Sequence, residues 1–534
     1  MSRRLDWLLP LALLAIVTGL FLARANAGIG QMAFGDESGH LIGAHAIAAG
    51  DRLYRDFIDA HGPVAFIVPW LYVLVFGWDH ANGVRWTMAV LAAFAAVAVA
   101  VSPPSRGRPG GLWAAALFTG GLASVWTVQG LSLVSYHTMA GCFAVVILAS
   151  FTWPAVVGKT PGSAGAAAAG AGSLLCCATA YPLVPSVVLL LVAGLLALDR
   201  IARRRAAVAW VAGFASAGAL VLIWMLLHGD LVGYVVFHFL SMQTNYARYA
   251  PATVSGFLAS LAPSFRPHAL VHGMAILATV AGAALSCVVM PDRRWSRLFA
   301  LTVAALAVLL LDARGLIGFQ DGTFVVAAIA FVALPVGVLF DRCGSPSRRI
   351  VGAVVVGCGL IAVEAVARQA IDSPWGRTRA EVLAFGGWNL NVAPRVPEVA
   401  IMRAVLDPAE RLLVLVYSPT VFLNAGLLPV RGFHEYLPWE ADYARHPMLG
   451  RARDLCATLT TALPPVIWYD DWAIGDRTPA SFIPCLPGIL ADHYVRDVHD
   501  GLLFVRLDRV ARARSVGFVP ATTIATFGPR PTPG

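Results

Sequence analysis

The residues best suited to chemistry in this 534-residue chain gather in one short stretch, Phe34-Gly35-Asp36-Glu37-Ser38-Gly39-His40. Asp36 and Glu37 stand a few residues beyond the first long apolar run, Trp7 to Leu22. Carboxylates at a membrane–water boundary can be plain interfacial caps. They can also be bases held in a cleft, where partial burial tunes their pKa. Such a base accepts the proton of a hydroxyl, a poor nucleophile until that proton is taken up in the transition state. Next come Gly50-Asp51-Arg52-Leu53-Tyr54-Arg55-Asp56-Phe57, then His61-Gly62-Pro63, and later Arg85. Asp51, Arg52, Arg55, Asp56 and Asp59 read as a solvated charged face. His61 reads equally as a ligand contact or as a turn before an apolar helix.

The elements that position these residues are membrane helices. Hydrophobic residues make up 58% of the chain and charged residues 13%, where a soluble domain carries about 25% charged. The apolar residues come in blocks of spanning length: 7–23, 63–78, 84–101, 112–127, 136–153, 164–180, 183–199, 207–228, 269–290, 298–311, 322–340 and 350–367. The pattern is a polytopic α-helical bundle and excludes a β-barrel, whose strands would alternate. The net charge of +9 is carried almost entirely by arginine. These arginines fall in short loops between apolar blocks, which orients a membrane protein and does not indicate nucleic acid. The basic loops all lie inside only if 63–78 does not cross. It therefore reads as a re-entrant or interfacial helix within a first external loop, 24–83. About eleven crossings result, with the N-terminus cytoplasmic and the C-terminus periplasmic. The start, an apolar run followed by Ala25-Asn26-Ala27, reads as an uncleaved first helix in preference to a signal peptide. Leu41 to Ala49 reads as a helix along the surface, and 229–268 as an external loop.

The membrane part spans 1–371. After Arg368 the composition turns mixed and proline-rich, with strand-like runs Arg411 to Tyr417, Val466 to Tyr469 and Leu502 to Leu507. Residues 372–510 read as a small external α/β domain and 511–534 as a flexible tail. Cys456 and Cys485 can pair if this domain faces an oxidising compartment. The Gly/Ala stretch 162–173 reads as close helix packing or as compositional bias. His268 and His272 have the i, i+4 spacing of a metal pair but lack a third ligand, and His434-Glu435 has no partner pattern.

The Asp-Glu pair outside the first span, the helix ending in Gly-x-x-x-Tyr-Arg-Asp-Phe, the His-Gly-Pro and Arg85 together resemble the C-type (GT-C) membrane glycosyltransferases. Nearest in pattern are protein O-mannosyltransferases and lipid A aminoarabinose transferases. The resemblance implies an inverting transfer from a polyprenyl-phosphate sugar to a lipid, polysaccharide or protein acceptor at the periplasmic face of a bacterial inner membrane. It implies Asp36 as general base with Glu37 beside it. Arg85 would lie near the site, to stabilise the leaving phosphate, which an Arg fork suits, or to orient the loop. Arg314 and His61 are further donor-side candidates, and Tyr54, Arg55, Tyr246 and Arg248 are candidates for substrate contact. No acidic residue occurs between Asp79 and Asp199, where some relatives carry a second one. This argues against a metal-dependent variant, and no cofactor is expected beyond the lipid-linked donor. A glycan polymerase or ligase, a transporter and a non-catalytic scaffold stand as alternatives.

Overall fold

The computed structural model describes residues 2–29, 35–78, 81–127, 130–248, 270–312, 322–342, 396–416, 421–422, 426–470, 472–474, 477–499 and 501–521. The expected span 350–367 and Arg314 lie outside these residues. Among the described residues, thirteen helices form the N-terminal bundle: α1 (Ser2–Ile29), α2 (Gly35–Ala48), α3 (Val64–Phe76), α4 (Trp86–Ala100), α5 (Pro109–Val125), α6 (Tyr136–Val156), α7 (Ser163–Thr179), α8 (Val184–Ala197), α9 (Arg200–His228), α10 (Leu231–Thr244), α11 (Leu270–Val289), α12 (Trp295–Leu310) and α13 (Gly322–Arg342). Among the described residues, six helices are long and apolar enough to cross a membrane.

The Gly/Ala stretch is a packing seam. A methyl group on Gly170 would overlap the Trp210 carbonyl, and one on Gly213 the Ala167 carbonyl, so only glycine lets α7 and α9 approach this closely. The same holds for Gly110 and Gly337, where α5 meets α13. Helix α3 has 13 residues, roughly 20 Å at 1.5 Å per residue, short of the ~30 Å hydrocarbon core.

Two expectations about the external loops need correction. Helix α2 is buried, not laid along a surface: Leu41, Ile42, Ala44, Ala46 and Ile47 are all within the core. Its cover comes from the loop after it and from the C-terminal part, which local sequence does not announce. The region 229–268 is not all loop. Asp230 caps the first turn of α10 by accepting from Val232 N–H, and Val236 and Phe237 pack inward.

In the C-terminal part, α14 (Val396–Val405) leads into a four-stranded sheet of β1 (Leu413–Leu415), β2 (Val466–Tyr469), β3 (Tyr494–Arg496) and β4 (Leu503–Arg506), in the order β1-β2-β4-β3. β1 and β2 are parallel (Leu413 opposite Ile467); β4 is antiparallel to β2 (Ile467 opposite Phe504) and to β3 (Val495 opposite Val505). Side chains alternate between faces. Val414, Val466, Trp468 and Val505 join the core continuous with the bundle. Leu413, Leu415, Ile467, Tyr469 and Phe504 form a second core with α15 (Pro438–Arg445), α16 (Leu455–Thr461) and α17 (Leu486–His493). Strand β3 was not anticipated because it is three residues long and follows α17 without a turn. The expected tail begins too early. Residues 510–521 are packed, with Ala513 and Phe518 buried and Val498 N–H bonded to the Val519 carbonyl.

Cys456 and Cys485 form a disulfide, Cα–Cα 5.7 Å, that ties α16 to α17. Replacing Cys456 with Ser should lower the stability of this C-terminal unit by about 2–4 kcal/mol. Calorimetry should show a lower melting transition, and reductant should shift the wild-type protein in the same direction. No shift in either would mean that the second core holds without the crosslink.

Candidate functional site

Asp36 and Glu37 occupy the first turn of α2, where the helix dipole favours negative charge. Successive helical residues point about 100° apart, so the two carboxylates have different surroundings. Glu37 is fully buried. Arg85, in the 3₁₀ turn that opens α4, meets it with both edges of the fork: Nε donates to Oε1 at 2.8 Å and Nη2 to Oε2 at 2.6 Å. Arg85 Nη1 donates to the carbonyls of Gly28 (2.7 Å) and Ile29 (3.1 Å) at the end of α1. Glu37 Oε1 also accepts the Val134 N–H at 2.9 Å. Arg85 is 4% exposed. It is the buried counter-ion of Glu37, a contact that fits the loop-orienting role of the two expected for it. Glu37 is likewise committed to structure.

The Asp36 side chain is 30% exposed, and its Oδ2 lies 3.9 Å from His61 Nε2. His61 is held by Asp59, whose Oδ1 accepts from the His61 backbone N–H (2.8 Å) and lies 2.7 Å from Nδ1. The His40 ring lies edge-on to His61, 4.7 Å between centroids, with its Nδ1 2.9 Å from the Val134 carbonyl. Asp59 Oδ2 lies 3.3 Å from Nε2 of His434, a residue of the C-terminal unit that stacks on Phe57 at 4.0 Å. Gly39, three residues along α2 from Asp36, gives this pair room. A Cβ there would stand 3.3 Å from Asp59 Oδ2. Burial raises the Asp59 pKa, but His61 and His434 outweigh it and hold the carboxyl well below its ordinary range.

The charged stretch after α2 is not a solvated face. Asp51 is 2% exposed and takes both Nη atoms of Arg411, at 2.5 and 2.8 Å, with Arg431 Nε at 3.2 Å. Arg52 Nη2 donates to the carbonyls of Gly229 and Leu226 at the end of α9. Asp230 pairs with Arg451 at 2.8 Å. These contacts seat the C-terminal unit on the loop. Tyr54 supports that loop from inside: it is fully buried, has φ +65°, and donates its hydroxyl to the His61 carbonyl at 2.5 Å. It is thus not open to substrate, whereas Arg55 sits at the surface paired with Asp56.

Tyr246 meets Trp439 of the C-terminal unit edge-on at 5.0 Å, and Arg248 is exposed. Nearby, Phe237 and Met242 of α10 face Trp439, Tyr443 and Arg453 across a cleft that has Asp59 on its wall. His272 Nε2 lies 3.2 Å from Asp312, and His268 lies outside the described residues. Among the described residues, no group of three metal-ligating side chains occurs.

Sequence reading noted His434-Glu435 but found it no partner, and missed Arg453. Glu435 supplies a carboxyl from the C-terminal unit. Burial, then Glu440, Asp59 and Asp36, push its pKa well above the ordinary range, with Arg453 opposing. No spacing signal could have linked these residues to Asp36, because only the docked fold joins them.

Neither a family model nor a curated protein matches the chain in sequence. Solved structures do match in fold. ArnT from Cupriavidus metallidurans bound to undecaprenyl phosphate aligns at TM-score 0.53 and 14% identity, covering 92% of this chain and 97% of that one. The Archaeoglobus fulgidus oligosaccharyltransferase in its apo form aligns at TM-score 0.50 and 14% identity, covering 93% and 74%. The oligosaccharyltransferase AglB of that organism, in complex with an inhibitory peptide and a dolichol-phosphate, aligns at TM-score 0.50 and 12% identity over the same shares.

Two outcomes test this geometry. Arg85→Met strands the buried Glu37 charge and should cost about 3–5 kcal/mol, whereas Asp36→Asn, at a partly open position, should stay within about 1 kcal/mol. Thermal midpoints of the purified proteins distinguish them. The second concerns pH. Burial, reinforced by His61, lowers the His40 pKa to about 4, and burial with Arg411 lowers His45 to about 4. Both are neutral in the fold and protonate near 6.5 when unfolded. Their contribution is complete above pH 6.5 and is lost as pH falls toward 4. The midpoint of His40→Gln should therefore drop less over that interval than the wild type; equal drops would remove His40 from the account.

The chain is a multi-pass membrane protein that shares its fold with ArnT and with the archaeal oligosaccharyltransferase.

Proposed function

We propose that this chain is an inverting glycosyltransferase of a bacterial inner membrane. It takes its sugar from a polyprenyl-phosphate carrier and passes it to a hydroxyl of a lipid, polysaccharide or protein at the periplasmic face. The observation that carries this reading is the unequal fate of the two adjacent carboxylates. Glu37 has both oxygens occupied by Arg85 and Val134. Asp36 keeps a partly open carboxylate beside His61. A base needs an oxygen free to take a proton. Asp36 therefore accepts the acceptor's hydroxyl proton as that oxygen bonds to the sugar's anomeric carbon. The bond from that carbon to the phosphate oxygen breaks on the opposite face, and the polyprenyl phosphate leaves with the electron pair. His61, fixed by Asp59, orients Asp36 from the side.

Polyprenyl phosphates in two structures of the same fold support a donor of that class. The C-terminal disulfide supports a periplasmic position for its unit.

The test compares the lipids and glycans of cells carrying wild type, Asp36→Asn or a deletion. Asp36→Asn should reproduce the deletion's missing glycan at unchanged protein level, with release of polyprenyl monophosphate reduced by about 100-fold or more. Wild-type levels in the substituted cells, or release of a diphosphate, would overturn the reading.

A further inference from the structure

The end of the bundle remote from Asp36 holds a feature that the transfer reaction does not use. Helix α9 has 29 residues, or ~43 Å, about 13 Å more than a hydrocarbon core needs. Its C-terminal end is fixed: the His228 carbonyl accepts the Leu53 N–H, and Asp230 just beyond pairs with Arg451. The excess therefore projects from the opposite end, where the first turns carry Arg200, Arg204 and Arg205.

These three arginines line one groove together with Ser163, the first residue of α7, and the apolar Ile201, Val208 and Ala212. The groove is an open furrow of about 710 Å³, many times the ~30 Å³ share of one water. The three arginines are exposed, and among the described residues no carboxylate pairs with them. The nearest acid in sequence, Asp199, is occupied as the helix cap, accepting from Ile201 N–H at 3.0 Å and Ala202 N–H at 2.9 Å. Beyond Arg205 the exposed residues of α9 become apolar: Val208 is 65% exposed and Val211 57%. That change marks the boundary between headgroups and acyl chains. Spacing of i, i+4 sets Arg200 and Arg204 one above the other on one helix face.

We propose that this groove binds an anionic phospholipid of the leaflet opposite the C-terminal unit. The arginines and the Ser163 hydroxyl hold its phosphate, and an acyl chain lies along Val208 and Ala212. Charge complementarity and the apolar floor select this occupant. A soluble anion would leave Val208 and Ala212 uncovered, and a zwitterionic lipid would leave the arginines without net negative charge. The inference is independent of the transferase reading.

The test uses the full-length protein in nanodiscs of phosphatidylcholine, with or without phosphatidylglycerol. Phosphatidylglycerol should raise the wild-type melting midpoint, and native mass spectrometry should show it retained over phosphatidylcholine. The triple variant Arg200→Gln/Arg204→Gln/Arg205→Gln should lose that retention by on the order of 10- to 100-fold. A matched variant, Arg106→Gln/Arg108→Gln/Arg293→Gln, removes the same number of charges from other loops at the same end and should keep it. Equal loss in both variants would mean a diffuse basic surface and overturn the site. So would an unshifted wild type, or the same midpoint shift from inorganic phosphate alone. Retention is read on wild type as well, so the proposal stands or falls even if the triple variant folds poorly.

Discussion

The buried pair of Glu37 and Arg85 is the constraint on which the site depends. Two charges removed from water are tolerated only when each polar direction finds a partner. Here Arg85 joins Glu37 to the last carbonyls of α1, and Glu37 in turn takes the backbone N–H of Val134 ahead of α6. One interaction thus fixes the end of α1, the start of α2, the turn into α4 and the approach to α6. The helix-end carbonyls of α1, which lack intrahelical donors, are satisfied by the same guanidinium.

A second set of charges carries that order outward. Asp51 with Arg411 and Arg431, and Asp59 with His434, attach the C-terminal unit to the loop that follows α2, and Asp230 with Arg451 attaches it to the start of α10. The unit has its own core behind the sheet and its own disulfide, so it can be a rigid body that presents His434 and Arg453. The Asp59 carboxylate is where the two parts meet. One oxygen faces His61 and the other faces His434. The surroundings of the candidate base therefore depend on the seating of a unit encoded at the far end of the chain.

Much of the fold was legible because it follows from local chemistry. Long apolar blocks demand helices in a bilayer, small residues at 162–173 permit close packing, and short apolar runs set off by Gly, Pro and Asp read as strands. The proximity of Arg85 to the Asp-Glu pair was also legible, from type and spacing. The Glu37–Arg85 pairing and the contacts of the charged loop were not. Whether an arginine meets a ligand or a buried glutamate depends on which helix ends converge, and nothing in Gly83-Val84-Arg85-Trp86 records that. Asp51 looked solvated because Arg411 and Arg431 lie hundreds of positions away, and so does His434, which joins the neighbouring His61 in enclosing Asp59. A three-residue strand such as β3 has too few residues for a period to emerge. Its pairing with β4 gives it its identity.

The Asp-Glu dipeptide illustrates how one sequence feature divides into two functions. Adjacent positions in the first turn of a helix share the same favourable dipole but face different directions. Glu37 faces the inside of the bundle, and its longer side chain reaches the Arg85 fork. Asp36 faces the side where the loop of His61 passes, and its shorter side chain stops 3.9 Å from that ring. Exchanging the two residues would put the short side chain where the fork needs reach and the long one where room for an acceptor is needed. The order Asp then Glu thus matches the geometry: the second carboxylate is held inside by the fork, and the first is left partly open beside His61.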